Sequence, residues 1–221
     1  MLLGQPFAKS PVAARVAPFA FFLALTFCQG KFGAASAYWF YFAKTLAGAW
    51  LIWEMRPFVA EMRWAFSWES VAVGIGVFAV WVGLDRFYPK FLTAGATGNP
   101  NDQFGDNSAL AQFFTTVHVL GMTLVVPPLE EVFYRSFLYR SIARQNFLSV
   151  PLNRFLPLPF AVTAVVFGFS HNEWLAGILS GSALQWLVLH KNRLGDAMTA
   201  HAIANLLLGI WIVWKQAWHF W

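Results

Sequence analysis

"PPLEEVFYRSF", residues 127–137, follows directly on the apolar run "VHVLGMTLVV", residues 117–126. It sets two adjacent glutamates, Glu130 and Glu131, and the later Arg135 in a stretch otherwise apolar enough for a membrane. The chain of 221 residues is 58% hydrophobic and only 11% charged, whereas an average soluble domain carries roughly 25% charged residues. Aromatic residues are abundant, with 24 Phe, 12 Trp and 5 Tyr, as expected where rings pack helices and mark both bilayer interfaces. A water-soluble globule is therefore excluded. The reading is an all-α, polytopic transmembrane helix bundle, folded as a single membrane-embedded domain over residues 1–221.

A span needs about 20 apolar residues, and the apolar stretches predict about seven helices. They cover 12–29, 33–54, 69–84, 110–144, 156–172, 174–190 and 195–217. The third and fifth are short for a full crossing, which fits tilted or re-entrant segments. Lys9 and Arg15, the run "VAPFAFFLALTFC" (16–28) and "AASA" (34–37) together imitate a secretory signal. "YWFYF" follows at once and the next apolar stretch runs on to Trp53, so a retained first helix is expected. Cys28 is the lone cysteine, which rules out a disulfide framework or a paired-cysteine metal site.

Basic residues orient such a chain, because cytoplasmic loops are enriched in Lys and Arg. With the N-terminus inside, nine fall on the inner side: Lys9, Arg15, Arg56, Arg63, Arg140, Arg144, Arg154, Lys191 and Arg193. Four fall outside: Lys31, Arg86, Lys90 and Lys215, while Lys44 and Arg135 lie within spans and complete the fifteen. The positive balance is thus topology, and no nucleic-acid partner is expected. The N-terminus is expected in the cytoplasm. The longest polar loop, 85–108, is where substrate choice would be expected to act.

Three motifs can carry chemistry. Glu130 lies 10–14 residues before Arg140–Arg144, about 15–20 Å deep at 1.5 Å per residue. A carboxylate at that depth is costly unless it is paired or faces a hydrated cavity. Glu131 and Arg135 stand at i and i+4, so they share a face and can pair, while Glu130 is rotated away by about 100°. Pro127 and Pro128 loosen the helix just before them. The second motif, "FGFSHNE" (167–173), puts Phe167 four residues before His171. The third, "HAIAN" (201–205), puts His201 and Asn205 on one stripe of an apolar helix. The expected topology places all three at comparable depth. Of the ten acidic residues, Glu130 and Glu131 alone fall well inside a span.

"EEVFYR", "FGFSH" and "HAIAN" match EExxxR, FxxxH and HxxxN in that order. The pattern resembles the CPBP intramembrane proteases, the group of the CAAX prenyl endopeptidases and the bacteriocin-processing or immunity proteins. The resemblance covers residues 110–210, a protease core within the single domain. One departure is Ser136, where bacterial members commonly have Gly after the arginine.

What the resemblance implies is a peptidase acting on a membrane-associated peptide or protein. Glu130 would activate water as general base, and His171 would hold and polarise it. His201 and Asn205 would donate to the oxyanion, with Glu131, Arg135 and Phe167 supporting. No cofactor is implied. A zinc mechanism is the rival, with Glu130, His171 and His201 as ligands and Glu131 beside them, although no HExxH occurs. The implied location is the bacterial inner membrane. A non-catalytic immunity-like or scaffold protein on the same fold is the alternative function. A proton-coupled transporter is disfavoured because residues 1–110 hold no second copy of EExxxR. "GIGVFA" (74–79) imitates a dinucleotide fingerprint but lies in an apolar helix with no preceding strand, "GILSG" (177–181) reads as a close helix approach, and Lys44 as snorkelling or facing the bundle.

Overall fold

The computed structural model describes residues 4–91 and 98–221; part of the polar loop 85–108 lies outside the described residues. Every regular element among them is helical. The elements are α1 Gly4–Lys9, α2 Pro11–Cys28, α3 Ala34–Met55, α4 Trp68–Leu84 and α5 Pro100–Phe104, followed by the long composite α6 Ala109–Ala143. Then come α7 Pro157–Phe169, α8 Trp174–Lys191 and α9 Gly195–Lys215.

The seven predicted helices are present with ends moved by a few residues, but the count of about seven is too low. Nine helices occur among the described residues, the additional two being α1 and α5. Each is too short to leave an apolar period and is set by local chemistry. At α5, Asn99 caps Asn101 N–H at 3.0 Å with Pro100 in the first turn. Among the described residues, four helices are long and apolar enough to cross a membrane: α2, α4 with its 3₁₀ extension to Phe87, α6 and α9. The 13 residues of α7 reach only about 20 Å, short of a roughly 30 Å hydrocarbon core. The outer faces are strongly apolar, with Phe27, Phe32, Trp39, Phe66, Trp68 and Trp214 at least half exposed. Such a surface suits lipid, not water.

Close helix approach builds the frame around the motifs. A Cβ on Gly168 would meet Trp174 O at 2.7 Å, and one on Gly177 would meet Gly168 Cα at 2.8 Å. The "GILSG" glycines therefore seat α8 against α7, and Gly181 lies on the Phe167 ring. A Cβ on Gly74 would meet Ala200 O at 2.7 Å, so the "GIGVFA" stretch lets α4 lie directly on the helix that carries His201. The start of α9 is pinned as well. Thr199 donates its hydroxyl to Ala65 O at 2.7 Å, and Ser67 donates its hydroxyl to Asp196 at 2.5 Å.

A buried charge cluster ties α2 to α6. Arg15 is 3% exposed and donates to Ser136 Oγ at 2.9 Å and to both Glu61 oxygens at 2.9 Å. Arg140 donates to Glu61 at 2.6 Å and to Ser136 Oγ at 2.7 Å. Burial works to raise the Glu61 carboxyl, but Arg15 and the Ser136 hydroxyl outweigh it and hold it below the usual carboxylate range. Ser136 is the position noted above as departing from the family pattern. In this chain its hydroxyl is the hub of a four-residue network, which gives the substitution a structural reason.

Candidate active site

The chemistry of the site begins with two prolines. Pro127 and Pro128 have no N–H, so a regular α-helix through them would leave carbonyls without donors. The helix answers by widening into a π turn over Gly121–Val125, in which Val126 N–H reaches back to Gly121 O. Met122 O would then look to residue 127 for its donor and finds proline. The missing bond is supplied from another helix: Asn205 Nδ2 donates to Met122 O at 2.6 Å. A second π turn, Val132–Leu138, carries Arg135. Such turns are rare and concentrate at functional sites.

Between the π turns the two glutamates diverge. Glu131 is fully buried, with Oε2 paired to Arg135 Nε at 3.2 Å and Oε1 at 2.9 Å from His201 Nδ1. A carboxylate oxygen accepts, so Nδ1 of His201 carries a proton. Arg135 is equally buried and also donates to Gly181 O at 3.4 Å. Its guanidinium carbon lies 4.3 Å above the Phe167 ring centroid, a cation–π contact in a dry setting. Phe167 in turn meets His171 at 4.7 Å and His201 at 6.0 Å between ring centres. The aromatic ring is the hub between the two histidines.

His171 stands just past the end of α7. Its Nδ1 lies 2.8 Å from Phe167 O and 3.2 Å from Ser170 Oγ. A carbonyl can only accept, so Nδ1 bears the proton and Nε2 is left with a free lone pair in the neutral ring.

His171, His201, Asn205 and Phe167 line one cavity of about 160 Å³, room for roughly five waters at about 30 Å³ each. Glu130 is not among the lining residues. It sits one helical turn beyond Val126, which does line the cavity, and its Oε2 is buried without a hydrogen-bond partner. The four-way gathering of residues 130, 171, 201 and 205 is thus met for three side chains. The fourth, Glu130, is half-buried one turn from the cavity-lining Val126, while Glu131, rotated by about 100°, takes the His201 contact.

Lys44 faces the bundle and is 6% exposed. Its ammonium donates to Thr26 at 3.0 Å and to Gln29 at 2.8 Å, and its field reaches Glu130. The rival zinc set is not assembled: among the described residues no three His, Cys, Asp or Glu side chains could hold one metal ion.

Sequence reasoning gave Glu173 no role, yet it lines the same cavity. Its signal was adjacency, two residues after His171. The lining runs from His201 toward Trp81, Glu173 and Phe220, the end where His219 meets Asp85 at 3.1 Å. In the expected orientation that end faces away from the cytoplasm.

Residues 112–207 match a family model described as Type II CAAX prenyl endopeptidase Rce1-like. No curated protein and no solved structure matches the chain.

Proposed function

Because residues 112–207 match the Rce1-like family of type II CAAX prenyl endopeptidases, we propose that the chain is a member of it and a glutamate-dependent intramembrane endopeptidase. The observation that carries the reading is convergence. Three motifs, far apart in sequence, bring His171, His201 and Asn205 to one cavity beside the buried Glu131–Arg135 pair.

The reaction runs as follows. Glu130 accepts a proton from a water held by the Nε2 lone pair of His171, and the water oxygen bonds to the scissile carbonyl carbon. The oxyanion accepts hydrogen bonds from Asn205 and His201. One Asn205 N–H is spent on Met122 O; the other is free to donate. His201 already gives its Nδ1 proton to Glu131, so donation from Nε2 requires the doubly protonated ring. The C–N bond then breaks as Glu130 returns its proton to the leaving amine. One fixed donor of this kind is worth about 2.7–4 kcal/mol, and the acid–base step about 10²–10⁴ in rate.

The substrate in this reading is a membrane-associated peptide or protein, prenylated or bearing a sorting signal. The protein sits in a bacterial inner membrane with its N-terminus in the cytoplasm. A carboxylate base needs no metal, so the mechanism is metal-free. Protein reconstituted in lipid vesicles should keep its cleavage rate after exhaustive chelation, with substoichiometric metal by elemental analysis. Loss of cleavage on chelation and its return with zinc would overturn the metal-free mechanism.

A further inference from the structure

Glu173 is unusual within this cavity. It immediately precedes α8, is 6% exposed and is the one carboxylate among the cavity-lining residues. Among the described residues no lysine, arginine or histidine nitrogen forms an ion pair with it. Its side-chain contact is a long hydrogen bond, 3.3 Å, from the Asn172 amide to Oε1. The side chain does not cap the helix it precedes.

The neighbours do not relieve it. Asp85 and Tyr88 lie within electrostatic reach, but Asp85 adds like charge and already holds Lys90 at 3.2 Å and His219 at 3.1 Å. Lys90 lies 3.8 Å over the Tyr88 ring. His171 is the neighbour whose charge would favour the carboxylate, but it forms no ion pair with Glu173, and its Nδ1 is directed to Phe167 O. A buried carboxylate with no cation is expensive, and an unpaired one aimed into a cavity is poised for a charge that arrives from outside.

We propose that Glu173 is a specificity residue: it receives a basic side chain, lysine or arginine, of the substrate peptide. The apolar lining of the same cavity, with Phe78, Trp81 and Leu208, suits the methylene stem of such a side chain, whose head would reach the carboxylate. The inference rests on the endopeptidase reading, because the ligand is that enzyme's substrate. It adds a charge rule that the three motifs do not contain.

The test uses Glu130→Gln protein in lipid nanodiscs, so that binding is read without turnover. The probes are synthetic peptides with an apolar segment of about 20 residues. A single arginine is moved along the adjoining positions, and each peptide is paired with its glutamine counterpart. In at least one register the arginine peptide should bind on the order of tenfold more tightly, the scale of a partly desolvated charge pair. Adding Glu173→Gln should erase that difference. Equal affinities in every register, or a preference that survives Glu173→Gln, would overturn the proposal. If the double variant fails to fold, the arginine–glutamine comparison on Glu130→Gln protein alone decides. Wild-type protein is then given the tightest peptide. Preference without cleavage would leave the cation site standing and sink the peptidase reading.

Discussion

Replacing Glu130 with glutamine should lower kcat by about 10²–10⁴ while leaving KM nearly unchanged, the size of a lost acid–base step. The melting temperature should hold or rise. Glu130 Oε2 is buried with no hydrogen-bond partner, so the amide gives up no hydrogen bond at that atom. Removing a charge that is costly at that depth offsets the lost attraction of Lys44. The measurement is paired: turnover of a membrane-anchored peptide and thermal unfolding in the same detergent. Cleavage at the wild-type rate would remove Glu130 from the role of base. A large fall in stability would show that its carboxylate is held by partners the geometry does not give it.

The neighbouring glutamate should behave in the opposite way. Glu131 and Arg135 are both fully buried and paired at 3.2 Å, with His201 on the other carboxylate oxygen. Glu131→Gln leaves the guanidinium charge without its counter-ion, which costs about 3–5 kcal/mol. The loss should appear as a large drop in melting temperature, with activity falling because His201 is no longer oriented. The double change Glu131→Gln with Arg135→Met should recover much of the stability, since it removes both charges together. A Glu131→Gln protein as stable as wild type would mean that the pair does not hold α6 in place. Two adjacent residues thus separate chemistry from architecture.

Much of this was legible in the sequence, and the reasons are local. The partnership of Glu131 with Arg135 follows from i, i+4 spacing. The helix ranges follow from apolar runs, and a close helix approach from "GILSG", whose partner α7 only the structure identifies. Lys44 facing the bundle follows from the cost of a charge in lipid.

What was hidden depends on contacts between distant segments. The proline pair signals a perturbed helix, but not that Asn205, 83 positions beyond Met122, supplies the missing donor. Ser136 reads as a departure until Arg15 and Glu61, 121 and 75 positions away, are seen to bond its hydroxyl. The direction of Glu130 depends on which of two neighbouring carboxylates wins the partners on α9, and periodicity cannot rank them. Glu173 was missed because it stands beside a motif and belongs to no spacing rule. The expectation of about seven helices marked the third and fifth apolar stretches as short for a crossing, but not the second and sixth. Among the described residues, length and composition qualify α2, α4, α6 and α9; α3 and α8 are long enough but less apolar, and α7 is only 13 residues long.

The central claim is that this protein cuts a peptide bond with a water activated by a glutamate in the bundle. Its most direct test is turnover of a membrane-anchored peptide in ¹⁸O-labelled water with hydroxylamine present, the products being weighed by mass spectrometry. One ¹⁸O in the new carboxyl group and no hydroxamate is the predicted outcome, because water attacks the carbonyl carbon directly. A hydroxamate product would reveal a covalent acyl-enzyme, and an intact peptide would show that no hydrolysis occurs; either result contradicts the mechanism.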